Sequence, residues 1–381
     1  MATLRPLPVP AGPSALSVLP ALEGVLTGRA GALLPVPADD ARQTSLLTTA
    51  LRAGAEIGDE VAVVVPTSGS TGTPKGAMLT ADALTASADA THRRLGGPGR
   101  WLLALPAYHV AGLQVLVRGL IAGLSPVAVT PQLDGLAAAV ESLGGGRRYA
   151  SLVAAQLDSA LRDDAAAAAL ARLDAILIGG GPMPAAVAAR AAAAGVRVVR
   201  TYGMSETAGG CVYDGRPLDG VDIRIDDGRV VLGGPTIARG YRNPVVPDPF
   251  GEPRWFRTDD IGVLDDAGTL RILGRADDAI NTGGLTVLPQ LVETALATHP
   301  GVAECAVFGV PDDRLGQRVV AAVVPAPGVA PPGLSEVRAH VARTLERTAA
   351  PREIHIVDAL PRRGIGKIDR RELTARFGVR A

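Results

Sequence analysis

Aromatic side chains are scarce in this chain. Phe, Trp and Tyr make up 3% of its 381 residues while hydrophobic residues reach 47%, so Val, Leu, Ile and Ala must fill any core. Cysteine is nearly absent. Cys211 and Cys305 stand far apart without ligand spacing, which excludes a disulfide framework and a cysteine-based zinc site and suits a reducing cytosol. An excess of either charge is also missing. Lys plus Arg and Asp plus Glu both number 38, so no net field draws the protein to nucleic acid or to an anionic membrane. No apolar run approaches the roughly 20 residues that a membrane helix needs. Met1-Ala-Thr-Leu-Arg-Pro6 lacks the charged and apolar regions of a signal peptide. A cytoplasmic protein follows, with no nucleic-acid partner and no stable membrane insertion.

What is present begins with a loop. Val61 to Val65 reads as a buried strand, because β-branched residues without alternation suit a strand covered on both faces. It runs into Thr67, Ser68, Gly69, Ser70, Thr71, Gly72 and Thr73, closed by Pro74-Lys75-Gly76. Small residues let the backbone turn sharply around an anion, hydroxyls and N–H groups form a ring of donors, and Lys75 adds a point charge. A polyphosphate is the natural guest. The P-loop of the NTPases needs Gly-Lys-Ser/Thr opening a helix, whereas here Thr73 and Pro74 separate Gly72 from Lys75, and Gly76 follows. That reading fails on spacing.

Around this loop the pattern divides the chain. Residues 1–60 carry short helix and turn signals, ending in a helical pattern from Arg42 to Ala55. Strand and helix patterns alternate from Trp101 to Thr201, which implies βαβ units and a sheet with helices on both faces. Ligands of such sheets bind outside the carboxyl ends of the strands. Thr67–Gly76, Gly179–Pro184 and Tyr202–Thr207 all lie at such ends, around one expected crevice. From Gly220 short β hairpins take over, and beyond Gly274–Asp278 a small α+β unit follows.

Thr67-Ser-Gly-Ser-Thr-Gly-Thr-Pro-Lys-Gly76 resembles, position for position, the phosphate loop of the adenylate-forming superfamily of acyl- and aryl-CoA synthetases, adenylation domains and luciferases. The likeness continues along the chain. Tyr202-Gly203-Met204-Ser205-Glu206-Thr207 resembles the family's Tyr-Gly-x-Thr/Ser-Glu signature, which implies Tyr202 on adenine, Ser205 on the α-phosphate and Glu206 as the metal ligand. Adenine does need a flat apolar face, and Mg²⁺ takes one or two carboxylates with phosphate oxygens and water. A solvated loop acid is the plain alternative for Glu206. Gly180 and Gly181 fall in a segment similar to the one beside the family's adenine and acyl pocket. Asp260, in Arg257-Thr-Asp-Asp-Ile-Gly262, takes the ribose-binding position, with Asp259 where glycine is usual.

The resemblance also implies Arg275 on the ribose or phosphate side, Asp277 as pivot, and Gly283 and Gly284 in a loop lining the thiol tunnel. Pro361-Arg-Arg-Gly-Ile-Gly-Lys367 looks like the C-terminal lysine motif, whose lysine stabilises charge developing between carboxylate oxygen and α-phosphate. Pro106-Ala-Tyr-His109 resembles the segment at the acyl pocket, where His109 would orient substrate or gate the tunnel. A lone His in an apolar context is as readily a packed core residue.

The family's fold is α/β: a large N-terminal domain of layered βαβ sheets with a β-rich subdomain, then a small mobile α+β domain. Here that means residues 1–274 for ATP and acid, a hinge at 275–278, and 279–381. The implied co-substrates are ATP and CoA, with Mg²⁺ as cofactor. The phosphate loop begins early, at Thr67, as in the short branch of the family, the actinobacterial o-succinylbenzoate–CoA ligases of menaquinone synthesis. Other acyl- or aryl-CoA ligases, carrier-protein-loading adenylation enzymes and a non-catalytic AMP-binding module are the alternatives. A dianionic aromatic acid would want a cationic or donor-rich pocket, to which Arg118, Arg200 or amides near Gly209–Gly210 could contribute. A homodimer is left open.

Overall fold

The computed structural model of this chain describes residues 2–67, 73–363 and 367–378, with the side chains of Arg363 and Lys367 outside that description. Two compact units emerge, Met1–Arg224 with Val231–Thr258, and Ile225–Val230 with Asp259–Ala381.

In the first unit, a four-stranded sheet carries the phosphate loop. Its strands are β1 (Arg5–Val9), β2 (Leu33–Pro37), β3 (Val61–Val65) and β4 (Ala77–Thr80), adjacent in that order. The segment expected to hold short helices and turns therefore supplies two strands of this sheet. Proline hides them. Arg5 N–H bonds the Ala32 carbonyl across the parallel β1–β2 pair, which turns the donor-less Pro6 and Pro8 to the open edge. Pro35 and Pro37 of β2 sit on the side facing β3, where the register meets only at Leu33 and Val63. Every residue of β3 is buried, as its apolar run implies. Helix α1 (Ala41–Ala50), capped by Asp40, stops short of the predicted Ala55, with Arg52 left-handed at φ 55°. Helix α2 (Ala81–Arg94) starts at Thr80, whose Oγ1 accepts from Ala83 N–H at 3.0 Å.

The second sheet is the predicted βαβ array. It comprises β5 (Arg100–Leu103), β6 (Val127–Ala128), β7 (Arg148–Val153), β8 (Ala175–Gly179), β9 (Val198–Met204), β10 (Gly209–Tyr213) and β11 (Arg216–Pro217), ordered β11-β10-β9-β8-β7-β5-β6. Strands β9, β8, β7, β5 and β6 run parallel, and β10 returns antiparallel beside β9. Helix α3 (Val110–Ala122) packs between α2 and β5, and α4 (Ala185–Ala193) follows Gly179–Pro184 as expected. Strand β9 extends past the predicted Thr201 through Met204, so the Tyr202 motif starts inside the strand.

Strands β12 (Asp222–Asp226), β13 (Arg229–Gly233) and β14 (Trp255–Leu264) each have residues in both units. In the second unit β14 pairs antiparallel with β15 (Leu270–Arg275), placing Asp260 opposite Arg275. The stretch expected to line the thiol tunnel forms a tight hairpin of β16 (Ile280–Thr282) and β17 (Leu285–Val287), with Gly283 and Gly284 at φ 58° and 82° in the turn. Glycine permits both at little cost, which is how a stretch that reads as a loop closes a ladder. Long strands β18 (Val302–Asp312) and β19 (Gly316–Pro325) form the centre, flanked by α5 (Pro289–Leu296) and α6 (Leu334–Val341). Alternation divides them cleanly. Val307, Val319 and Val323 join α5 and α6 on one face, while Phe308, Val320 and Ala322 meet Leu373 on the other. β20 (Glu353–Ile356) extends the sheet parallel to β19, and α7 (Arg370–Phe377) carries Leu373.

Candidate active site

The first unit gathers one cluster at the carboxyl end of β3. Thr67 Oγ1 is buried and finds no hydrogen-bond partner among the described residues. Ser68, Gly69, Ser70, Thr71 and Gly72 lie outside those residues. After Thr73, the chain is gripped by a strap between Ala238 and Asn243. Asn243 N–H bonds the Lys75 carbonyl at 2.9 Å and its Nδ2 bonds the Pro74 carbonyl, while Arg242 N–H bonds Gly76. Gly76, at φ 73°, fits a slot where a Cβ would stand 2.6 Å from Leu51 Cδ2. From this strap Tyr241 reaches two ways. Lys75 Nζ lies over its ring, 5.2 Å from the centroid, and its hydroxyl bonds Glu206 Oε1 at 2.6 Å. Ala238 N–H adds a bond to the Glu206 carbonyl.

Glu206 sits in a single 3₁₀ turn, Ser205–Thr207, that ends β9. Thr207 Oγ1 accepts from Met204 N–H at 2.9 Å and donates to the Gly209 carbonyl, which ties the two ends of the turn together. Gly203 is required here, since a Cβ at that position would collide with the Gly209 carbonyl oxygen. Tyr202 pairs with Val212, and the register slips between Tyr202 and Gly203, a bulge that bends the strand there. Gly179 ends the neighbouring strand β8, and beyond it a Cβ on Gly181 would meet nothing within 4 Å. Of the three loops expected at one crevice, those after β8 and β9 end neighbouring strands of one sheet, while the third follows β3 of the other sheet and is tied to Glu206 through Tyr241. With Glu206 buried at 7% exposure and bonded, the solvated-acid reading does not hold.

Beneath β10 lies a buried polar layer. Gln114 Nε2 and Ser87 Oγ both donate to the Ala208 carbonyl at 2.9 Å, and Gln114 Cγ would be 3.3 Å from a Cβ on Gly209. One helical turn further along α3, Arg118 is 2% exposed, its guanidinium 4.7 Å from the Trp101 ring centre. It makes no hydrogen bond or ion pair to any described residue, and its Nε is fully enclosed. Burial lowers its pKa, with Tyr213 opposing. Trp101 Nε1 donates to His92 Nε2 at 3.2 Å, and burial, then Arg118, brings the His92 pKa down to about 4. Arg200, in contrast, is exposed and paired with Asp214. His109 occupies the N-cap position of α3 without capping it, its ring 4.6 Å from Tyr108 and only partly buried. Burial also lowers its pKa, keeping it neutral at pH 7. It is not a packed core residue.

The second unit holds a second cluster. Alternation along β14 buries Asp260 and exposes Asp259, which pairs with Arg229 at 2.8 Å. Arg275 reaches both carboxylates, at 3.5 Å from Asp259 and 3.6 Å from Asp260, and clasps Asp277 through two bonds of 2.7 and 2.8 Å. Burial works against this guanidinium's charge, yet Asp277, then Asp260 and Asp259, hold its pKa above the ordinary arginine value. Lys367 opens the short strand Lys367–Ile368, which pairs with Arg362–Arg363. Its side chain lies outside the described residues.

The donor set suits a magnesium nucleotide. The unsatisfied Thr67 hydroxyl suits a phosphate oxygen, and a buried carboxylate, Glu206, suits Mg²⁺ that takes its other ligands from phosphate and water. Comparison with known proteins agrees. The AMP-binding enzyme family model matches residues 32–242, and the model of that family's C-terminal domain matches 291–367. This chain belongs to the AMP-binding enzyme family. It is 62% identical over 385 residues to the probable 2-succinylbenzoate–CoA ligase of Mycobacterium tuberculosis H37Rv, covering 99% of this chain and 100% of the relative. Among solved structures it resembles o-succinylbenzoate CoA synthetase from Bacillus subtilis in complex with the acyl-adenylate intermediate. The identity is 27% and the TM-score 0.71, over 93% of this chain and 80% of that one. The same enzyme with ATP and magnesium ion gives 25% identity and a TM-score of 0.75, over 97% and 89%.

Against that family's motifs, the strap residues Tyr241 and Asn243 went unread in the sequence. The signal was composition. In a chain with five tyrosines, Tyr241 closing Ala-Arg-Gly-Tyr is a costly residue to place in a loop without a task.

Proposed function

We propose that this chain is an ATP-dependent, AMP-forming acid–thiol ligase that adenylates o-succinylbenzoate and transfers the acyl group to coenzyme A in menaquinone synthesis. A free carboxylate resists a thiol because oxide is a poor leaving group. In the first step a carboxylate oxygen attacks the α-phosphorus of ATP and the bond to pyrophosphate breaks. In the second, the thiol sulfur attacks the acyl carbon and AMP leaves with the bonding electrons. Bound magnesium supplies neutralisation of phosphate charge.

The chain's own groups divide the remaining work. Thr67 and Lys75 hold the outer phosphates, Ser205 donates to the α-phosphate, and Tyr202 lies against adenine beside Gly180 and Gly181. Asp260 accepts from the ribose hydroxyls, for which its burial supports it over the exposed Asp259, already paired with Arg229. Neutral His109 orients the acid. Residues 275–278 act as the hinge, with 1–274 and 279–381 as the bodies it joins. Lys367 serves the first step and the Gly283–Gly284 turn the thiol's approach in the second. Two unpaired cysteines suit a cytoplasmic location.

Substrate choice rests on one observation, the buried guanidinium of Arg118 with no ion pair to any described residue. An enclosed charge without compensation is expensive, and a dianionic aromatic acid, bound by one carboxylate at the α-phosphate, brings a second carboxylate to balance it. Exposed Arg200, already paired, offers no such need. The test is ATP- and CoA-dependent AMP release with o-succinylbenzoate beside benzoate and a fatty acid. Turnover with o-succinylbenzoate alone is expected, and preference for either control would overturn the assignment.

A further inference from the structure

The lysine of the first half-reaction needs a fixed base, and the second unit builds one immediately after it. Ile368 packs against the cluster of Phe308, Val320 and Leu373. Asp369 N–H bonds the Pro361 carbonyl at 2.8 Å, and its side chain caps α7 by accepting from Glu372 N–H at 3.1 Å. The next residue, Arg370, is mostly buried and makes contacts in three directions. Its Nη2 bonds both carboxylate oxygens of Glu293 on α5, at 2.7 and 2.8 Å. Its Nε bonds the Val307 carbonyl at 3.1 Å, and its Nη1 lies 3.5 Å from Asp278 Oδ2. Glu293 in turn accepts from Val307 N–H at 2.7 Å. The pair is 16% and 14% exposed, so it is shielded from screening and geometrically demanding.

We propose that Arg370 is a positioning residue that ties the Lys367 strand to α5 and to Asp278, the neighbour of the pivot, so that lysine and pivot move as one body. This rests on the reading of Lys367 and Asp277 given above. An alanine-like stub would leave Lys367 chemically intact but free to wander. A small misplacement of a charge-stabilising group costs on the order of 100-fold in rate. The loss should fall on the step that uses the lysine. Thioester formation from preformed acyl-adenylate needs no Lys367 and should be spared.

Arg370→Met, Arg370→Lys and Lys367→Ala are assayed in both half-reactions, as pyrophosphate release from ATP and as thioester formation from supplied o-succinylbenzoyl-AMP. Arg370→Met should slow the first on the order of 10- to 100-fold and leave the second within about twofold. Arg370→Lys keeps the charge without the two-pronged bond and should fall between, which guards against simple misfolding of the methionine variant. Exchange of partners in Arg370→Glu with Glu293→Arg should recover part of the loss. Equal losses in both half-reactions, or none in the first, would overturn the proposal. If Lys367→Ala leaves pyrophosphate release at the normal rate, the reading of the lysine falls first. If Lys367→Ala abolishes it while Arg370→Met does not slow it, only the positioning role fails.

Discussion

The hydroxyl of Tyr241 lies 2.6 Å from Oε1 of Glu206, and the same ring carries Lys75 5.2 Å from its centre. One side chain therefore sets both the acid that would meet the metal and the lysine that would meet the phosphates. Removing the hydroxyl alone, in Tyr241→Phe, leaves the ring under Lys75. The expected result is a Mg²⁺ requirement raised about 10- to 100-fold, the value of one hydrogen bond to a charged group. A magnesium titration of pyrophosphate release, with calorimetric Mg-ATP binding beside it, reads this directly. Unchanged magnesium dependence would show that Glu206 is held by the backbone turn instead.

Arg118 offers a contrast between binding and stability. Arg118→Met should lower kcat/KM for o-succinylbenzoate about 10- to 100-fold, with little change for an aromatic acid bearing one carboxylate. The melting temperature should hold or rise, because an enclosed charge without a partner is replaced by an apolar chain of similar length. A strong fall in melting temperature would instead make the guanidinium a structural brace for Trp101.

His92 makes stability fall on the acid side. Its pKa is 6.5 when unfolded and about 4 in the folded protein, through burial and then the charge of Arg118. As pH drops through 6.5 the unfolded chain binds this proton first. The contribution is present in full above about 6.5 and is lost progressively down to about 4, by up to about 3 kcal/mol. Urea unfolding at pH 7 and at pH 5 measures the loss. His92→Gln keeps an acceptor for Trp101 and should flatten this part of the profile, and Arg118→Met should narrow it.

The sequence made the nucleotide motifs legible because their chemistry needs unusual residues in order. A Gly/Ser/Thr loop closed by lysine has few other uses, and β7, β8 and β9 alternate with helices at ordinary lengths. The strands Arg5–Val9 and Leu33–Pro37 were not legible, since proline argues against a strand until its missing N–H is known to face an edge or a gap. The Ile280–Val287 hairpin was hidden for a related reason, two glycines that signal a loop but here take left-handed turn positions. Tyr241 and the carbonyl-binding Asn243 were invisible because their partners lie far away in sequence, at Lys75, Glu206 and Pro74. The missing partner of Arg118 could be recognised only once burial was known.

Pro6 and Pro8 have an effect beyond concealment. With their ring nitrogens turned to the open side of the sheet, an extended segment from another copy would find no donor at either position. A phosphate-binding sheet that would otherwise present a bare margin is thereby guarded against strand-by-strand self-association at high concentration.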